Sequence, residues 1–147
     1  MVNFKNDIQR LQQLSSLERQ TLFASLVLLP LVALSLKILG YRRTKGLMSK
    51  VVPDVGDELI LEESGRVAAY GIARMVDVAA RRGPYKASCL KQALVAWWLL
   101  ARRRIPSDIK IGVSKTAREF DAHAWVELEG RVLIGGLGSK SRFKPIP

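Results

Sequence analysis

The sequence predicts an α+β fold in which helices come first and a small antiparallel sheet follows. Three observations carry this. Up to about residue 103, apolar side chains recur at helical spacing. Beyond it, Ile109, Ile111 and Val113 alternate with Lys110, Gly112 and Ser114 in the two-residue period of a strand. Glu129-Gly130 then separates two further strand-like segments, 122–128 and 131–134, as a tight turn would. Runs of helices followed by an antiparallel meander define the class. At 147 residues, 48% of them hydrophobic, the chain suffices for one core. The expected organisation is an apolar N-terminal helix with a basic flank, 1–46, attached to a core over 47–147.

The first strong helix signal is Ser15, which with Glu18 has capping-box spacing. The helix runs into residues 21–36, which carry no charge, and then meets Lys37, Arg42, Arg43 and Lys45. A membrane span needs roughly 20 apolar residues. This segment sits at that margin, and Pro30 is expected to kink it. Two readings stand side by side: membrane contact through residues 21–39, or a core helix docked on the domain. If it inserts, the following arginines favour a cytoplasmic C-terminal side. It does not read as a cleavable signal, since no small-residue cleavage site follows.

Gly40, Gly46, Pro53 and Gly56 punctuate residues 40–63, which read as a connector. A second helix spans 64–82. Val67, Ala68, Ile72, Met75, Val76 and Ala79 form its apolar face, and Gly83-Pro84 stops it. A third helix runs from Cys89 to about Arg103 and is apolar nearly all round, the pattern of a buried central helix. Residues 116–120 read as a polar loop before the second strand, and 139–144 as a basic tail.

The net charge of +11 attracts acidic partners. Nucleic-acid readers interleave charge with exposed stacking aromatics. Trp97 and Trp98 lie inside an apolar helix instead, so no nucleic-acid partner is expected. Arg102, Arg103 and Arg104 have the ordinary role of cations closing a helix. One cysteine excludes an internal disulfide and fits a reducing, cytoplasmic compartment. One histidine and one cysteine do not make a zinc site, so neither metal nor cofactor is expected.

Those two residues are the candidate chemistry. Cys89 opens the third helix, where the helix dipole and unpaired N–H groups favour a thiolate. His123 lies on the second strand, placed to take and return a proton. A cysteine atop a buried helix and a histidine on a strand packed against it is the papain-like arrangement. Each residue also has an ordinary reading, as an inert buried thiol and a core histidine bonded to backbone. Tyr85 or Ser88 could assist with a hydroxyl, though Ser88 also reads as a helix cap. Trp125 could wall a cleft or pack in the core.

Pro84-Tyr85-Lys86-Ala87-Ser88-Cys89-Leu90, the block from Leu99 to Ile105-Pro106, Ile111-Gly112-Val113 and Ala122-His123-Ala124-Trp125-Val126-Glu127 with Gly130 together resemble the lasso-peptide biosynthesis B protein. The likeness is to its leader-peptidase half in the split form, a transglutaminase-like (papain-like) fold. Leu14-Ser15-Ser16-Leu17-Glu18-Arg19, leading to the apolar helix, is also similar. The resemblance implies a cysteine endopeptidase that removes the leader from a ribosomally made precursor peptide, with Cys89 as nucleophile and His123 as general base and acid. It implies two partner proteins: a separate leader-recognition chain (a RiPP recognition element) and an ATP-dependent lasso cyclase.

One position departs from the family pattern. The family often has an Asp on the strand after the histidine, and with Glu129-Gly130 as the turn, Gly135 stands there. Asp121 is the orienting candidate if the strand entry bends, and Ser139 if the tail folds back. The options are a Cys–His dyad, a relocated third group or a weakened enzyme, and the first two are preferred. The rival class is a non-catalytic, membrane-associated scaffold that holds an acidic peptide in the same pathway.

Overall fold

Ser15 opens the longest helix as its spacing predicts. The Ser15 hydroxyl accepts from the Glu18 N–H at 3.2 Å, and the Glu18 carboxylate accepts from the Ser15 N–H at 2.9 Å. The computed structural model describes residues 4–54, 60–84, 87–116, 119–136 and 144–145. A short helix, α1 (Phe4–Gln13), precedes the cap, and α2 (Ser16–Lys50) follows it. The hydroxyls α2 buries are satisfied within the helix: Thr21 donates to the Leu17 carbonyl at 2.8 Å and Ser25 to that of Thr21 at 2.7 Å. This meets the rule that buried polar groups find partners, at no cost to packing.

Two expectations for this segment change. The break in helical dihedrals falls at Gly40 (φ 76°, ψ 173°), whereas Pro30 keeps helical dihedrals on the exposed side of the helix. Glycine alone reaches such a backbone readily, so the chain turns there. Residues 41–50, expected as connector, resume the helix, and the Ser35 and Thr44 hydroxyls bond across the break at 2.9 Å. A stretch of 18 residues in α2 has a mean hydropathy of 2.4, enough by length and composition to cross a membrane, and 22% of it is buried in the protein.

Helix α3 (Glu63–Arg82) buries Ala69, Ile72, Ala73, Met75, Val76, Ala79 and Ala80. Val67, placed on that face from sequence, is instead exposed, and Ala69 takes its turn at the core. The helix ends where the Gly83 N–H donates to the Ala79 carbonyl at 2.9 Å. Helix α4 (Cys89–Arg102) is the centre of the fold, with Ala93, Leu94, Val95, Ala96 and Leu100 all at or below 1% exposure. It packs against α2, α3 and three strands. Trp97 and Trp98 are half-buried on its flank; Lys45 lies over Trp97, Arg102 lies over Trp98, and the Trp98 indole donates to the Met48 carbonyl at 3.2 Å. Two of the basic side chains that raise the net charge are therefore spent on aromatic faces.

The sheet has the order β3-β2-β1-β4, from β1 (Asp108–Thr116), β2 (Glu119–Leu128), β3 (Arg131–Ile134) and β4 (Lys144–Pro145). All three pairings are antiparallel. Two stretches read otherwise from sequence. Thr116, Glu119 and Phe120, assigned to a loop, belong to strands, and part of the basic tail pairs with β1 at Gly112 and Val113. The β2–β3 turn is tight: Glu129 (φ 49°) and Gly130 (φ 78°) both take positive φ, as a two-residue primed turn requires. Arg66 of α3 grips that turn, donating to the two Glu129 carboxylate oxygens at 2.8 and 3.0 Å. Ala124, Val126 and Leu128 of β2 join the core formed by α2, α3 and α4.

Candidate active site

Cys89 is the first residue of α4 and is half-buried. Packing of the apolar turns behind it fixes where its thiol points. Ser88 occupies the cap position in an extended conformation (φ −69°, ψ 164°), but its side chain makes no capping bond. The expected cap role is thus filled by its backbone alone, and the residue is exposed.

His123 reaches the same cleft from the sheet. The last β2–β3 pair is Val126 with Ile134, so His123 lies beyond the paired part of β3. Its neighbours Ala124 and Val126 face the helices, yet the ring gains the cleft because β3 ends there and the chain turns at Gly135. The Nε2 atom of His123 and the Gly135 carbonyl oxygen are hydrogen-bonded. A carbonyl can only accept, so Nε2 carries the proton and, in the neutral ring, Nδ1 is the basic nitrogen.

Gly135 is demanded here for two reasons. Its φ is +107°, and a Cβ would stand 2.5 Å from the Trp125 Cβ and 2.9 Å from the Ala124 carbonyl oxygen. No carboxylate side chain fits at this position. At this position the imidazole meets the main chain, and the absence of an acid here has a physical reason.

A cleft of about 650 Å³ contains Cys89 and His123 together. Its far wall is one face of α3, from Tyr70, Arg74, Asp77 and Arg81 at helical spacing, and Gln92 lies one turn beyond Cys89. This wall is braced by ion pairs: Arg81 donates to Asp77 at 2.9 Å and Arg74 pairs with Glu18. The Glu18 carboxyl is held below its ordinary pKa, first by the Ser15 backbone N–H and then by Arg74, while partial burial opposes the shift. Gln92 donates to the Ala87 carbonyl at 3.0 Å, which ties the approach segment to the helix.

Residues 26–147 match the transglutaminase-like superfamily. The chain belongs to that superfamily. No curated protein and no solved structure matches it. Transglutaminase-like proteins include cysteine hydrolases, and the helices-then-antiparallel-sheet architecture of this member is the one expected.

The other residues singled out from sequence divide clearly. Trp125 does not line the cleft; it is fully buried, and its indole donates to the Glu127 carboxylate at 2.8 Å. It also supports the imidazole, with the rings of His123 and Trp125 6.3 Å apart and 21° from parallel. Asp121 is in β2 opposite Ser114, but its side chain lies outside the described residues, as do Tyr85 and Ser139 altogether. Sequence reading passed over Gln92 and the α3 wall. The signal was present: Gln92 is three residues past Cys89 on the same helical face, and residues 70, 74, 77 and 81 make a polar stripe opposite the apolar one.

Proposed function

We propose that this transglutaminase-like protein is a cysteine endopeptidase, the leader-peptidase half of a split lasso-peptide B protein. The observation that carries the reading is the shared cleft, lined both by a helix-opening Cys89 and by a His123 whose outer nitrogen is bonded to a main-chain carbonyl. That bond holds the ring in the tautomer a general base needs and keeps it oriented, the work a side-chain acid does in a triad.

The reaction is acyl transfer to water. His123 Nδ1 takes the Cys89 proton, and the thiolate adds to the scissile carbonyl of the precursor. The Cys89 backbone N–H donates to the oxyanion. As the tetrahedral adduct collapses, the C–N bond breaks and His123 returns the proton to the leaving amine. The core peptide leaves with a free N-terminus, and the leader remains as a thioester. Water then loses a proton to His123, adds to the thioester, and the thiolate departs and is reprotonated. No oxidant, metal or nucleotide is consumed in this sequence.

The cleft is open and its wall offers a mixed set of charges, so substrate affinity is expected to come from a separate leader-recognition protein that raises the local precursor concentration. A lasso cyclase would consume the released N-terminus. The compartment proposed is the cytoplasm, with membrane association.

The test is mass spectrometry of a cognate precursor incubated with the protein, with and without the recognition chain. Cleavage at one bond that disappears in Cys89→Ala and falls at least about 1000-fold in His123→Ala is the expected result. Cleavage persisting in Cys89→Ala would reject the mechanism. No cleavage with any partner, together with a Cys89 inert to iodoacetamide near neutral pH, would leave the scaffold reading.

A further inference from the structure

The outer face of α2 is apolar where a water-facing helix should be polar. From Phe23 to Leu34 its exposed residues are Phe23, Val27, Pro30, Leu31 and Leu34, and Ile38 continues the row. The five large ones besides the proline are 64%, 60%, 55%, 55% and 70% exposed, in chain order. Positions 23, 27, 31, 34 and 38 recur at three- and four-residue steps, so they form one stripe, about 22 Å long at the rise of an α-helix. A continuous exposed apolar stripe of this kind needs a cover.

Charge decides which cover fits. Arg19 is exposed just before the stripe; Lys37, Arg42 and Arg43 are exposed at its far end. The whole chain carries +11. A second copy laid parallel would stack the Arg42-Arg43 ends on each other, and laid antiparallel would set Arg19 against them. Both orders bring like charges together, and the net charge opposes association further. An apolar stripe with cations at both ends is instead the pattern of a helix lying in an anionic lipid interface.

The opposite face of the same helix argues against a span. Thr21, Leu22, Ser25, Leu29 and Val32 are buried, and α2 packs on α3 and α4. Crossing a bilayer would strip that face from the core and draw Lys37 toward the apolar layer. The non-helical Gly40 then separates the stripe from the segment that carries Arg42 and Arg43.

We infer that α2 docks this protein in plane on an anionic membrane surface, through the Phe23–Ile38 stripe with Arg19, Lys37, Arg42 and Arg43 at its ends. The helix serves the core on one side and lipid on the other. This does not depend on the peptidase reading.

The experiment is co-sedimentation of the full chain with vesicles of phosphatidylcholine alone and of phosphatidylcholine with phosphatidylglycerol at 2:1. Binding is expected on the anionic vesicles, with release by alkaline carbonate. Val27→Glu/Leu31→Glu, at exposed positions and checked for wild-type circular dichroism, is expected to abolish it. Arg42→Ala/Arg43→Ala is expected to weaken it roughly 30-fold, about fivefold for each basic side chain near the surface. Three results overturn the proposal. The first is no binding to either vesicle, including the case where light scattering shows a dimer that Val27→Glu/Leu31→Glu dissolves. The second is retention after carbonate, which means a span. The third is binding unchanged in Arg42→Ala/Arg43→Ala, which keeps the test decisive if the glutamate variant fails to fold.

Discussion

Gly135 concentrates the site's constraints in one residue. Its positive φ, the closeness of Trp125 and Ala124, and the carbonyl it offers to His123 all depend on the absence of a side chain. Gly135→Ala is expected to cost about 1–3 kcal/mol from backbone strain, before the clash with Trp125 is counted. Thermal or urea unfolding would read this, and a substitution with no loss of stability would show that the chain turns otherwise here. Gly135→Asp follows the same logic. It would not rebuild a triad, because the new Cβ points into Trp125 and the carbonyl that holds the ring would have to move. Counting back from the Glu129-Gly130 turn leaves Gly135 or Gly136 opposite His123, and a register shift between Val126 and Glu127 lies between that turn and the histidine. What that count did not show is that the partner is main-chain oxygen, since a backbone carbonyl leaves no mark in residue type.

At the scale of elements, α2 is pinned to α3 through its own start. The Ser15–Glu18 box satisfies N–H groups at the helix end, and Glu18 also pairs with Arg74 on the cleft wall. Ser15→Ala is expected to cost about 1 kcal/mol, measurable by denaturant unfolding. Glu18 adds a pH dependence with a definite sign. Its folded pKa lies below 4.5, so the unfolded chain binds the proton more readily. The stability Glu18 contributes is therefore present above the unfolded value and is lost as pH falls through the folded one. Glu18→Gln should flatten the loss of stability below about pH 4.5, the ordinary carboxylate value. An unchanged acid limb in that variant would remove Glu18 from the account. The capping box was legible because its partners are three residues apart. The ion pair to Arg74 joins residues from two helices and was not.

On the scale of the whole molecule, one apolar cluster joins α2, α3, α4 and the sheet, with Leu94 fully buried within it. Both sides of the cleft rest on this cluster, Cys89 through α4 and His123 through β2. Leu94→Ala is expected to remove about 2–5 kcal/mol, a large part of the roughly 5–15 kcal/mol that holds a domain of this size. Circular dichroism and tryptophan fluorescence should then report a single earlier transition, since helix and sheet share the core. Two separated transitions would mean that α2 unfolds on its own, and the docking of its inner face would need revision.

The sequence by itself determined the order of helices and strands, the capping box, the Glu129-Gly130 turn, and the placement of Cys89 at a helix start and His123 on a strand. All of these follow from local periodicity or from residues within a few positions of one another. Only the tertiary structure decided that α2 breaks at Gly40 and resumes, that Lys144 and Pro145 return to β1, and that α3 walls the cleft. It also decided that Trp125 serves the core and that the His123 ring is bonded to a main-chain oxygen. Those outcomes rest on contacts between residues distant in the chain, where packing and backbone geometry, and not the residue's own propensity, choose the answer.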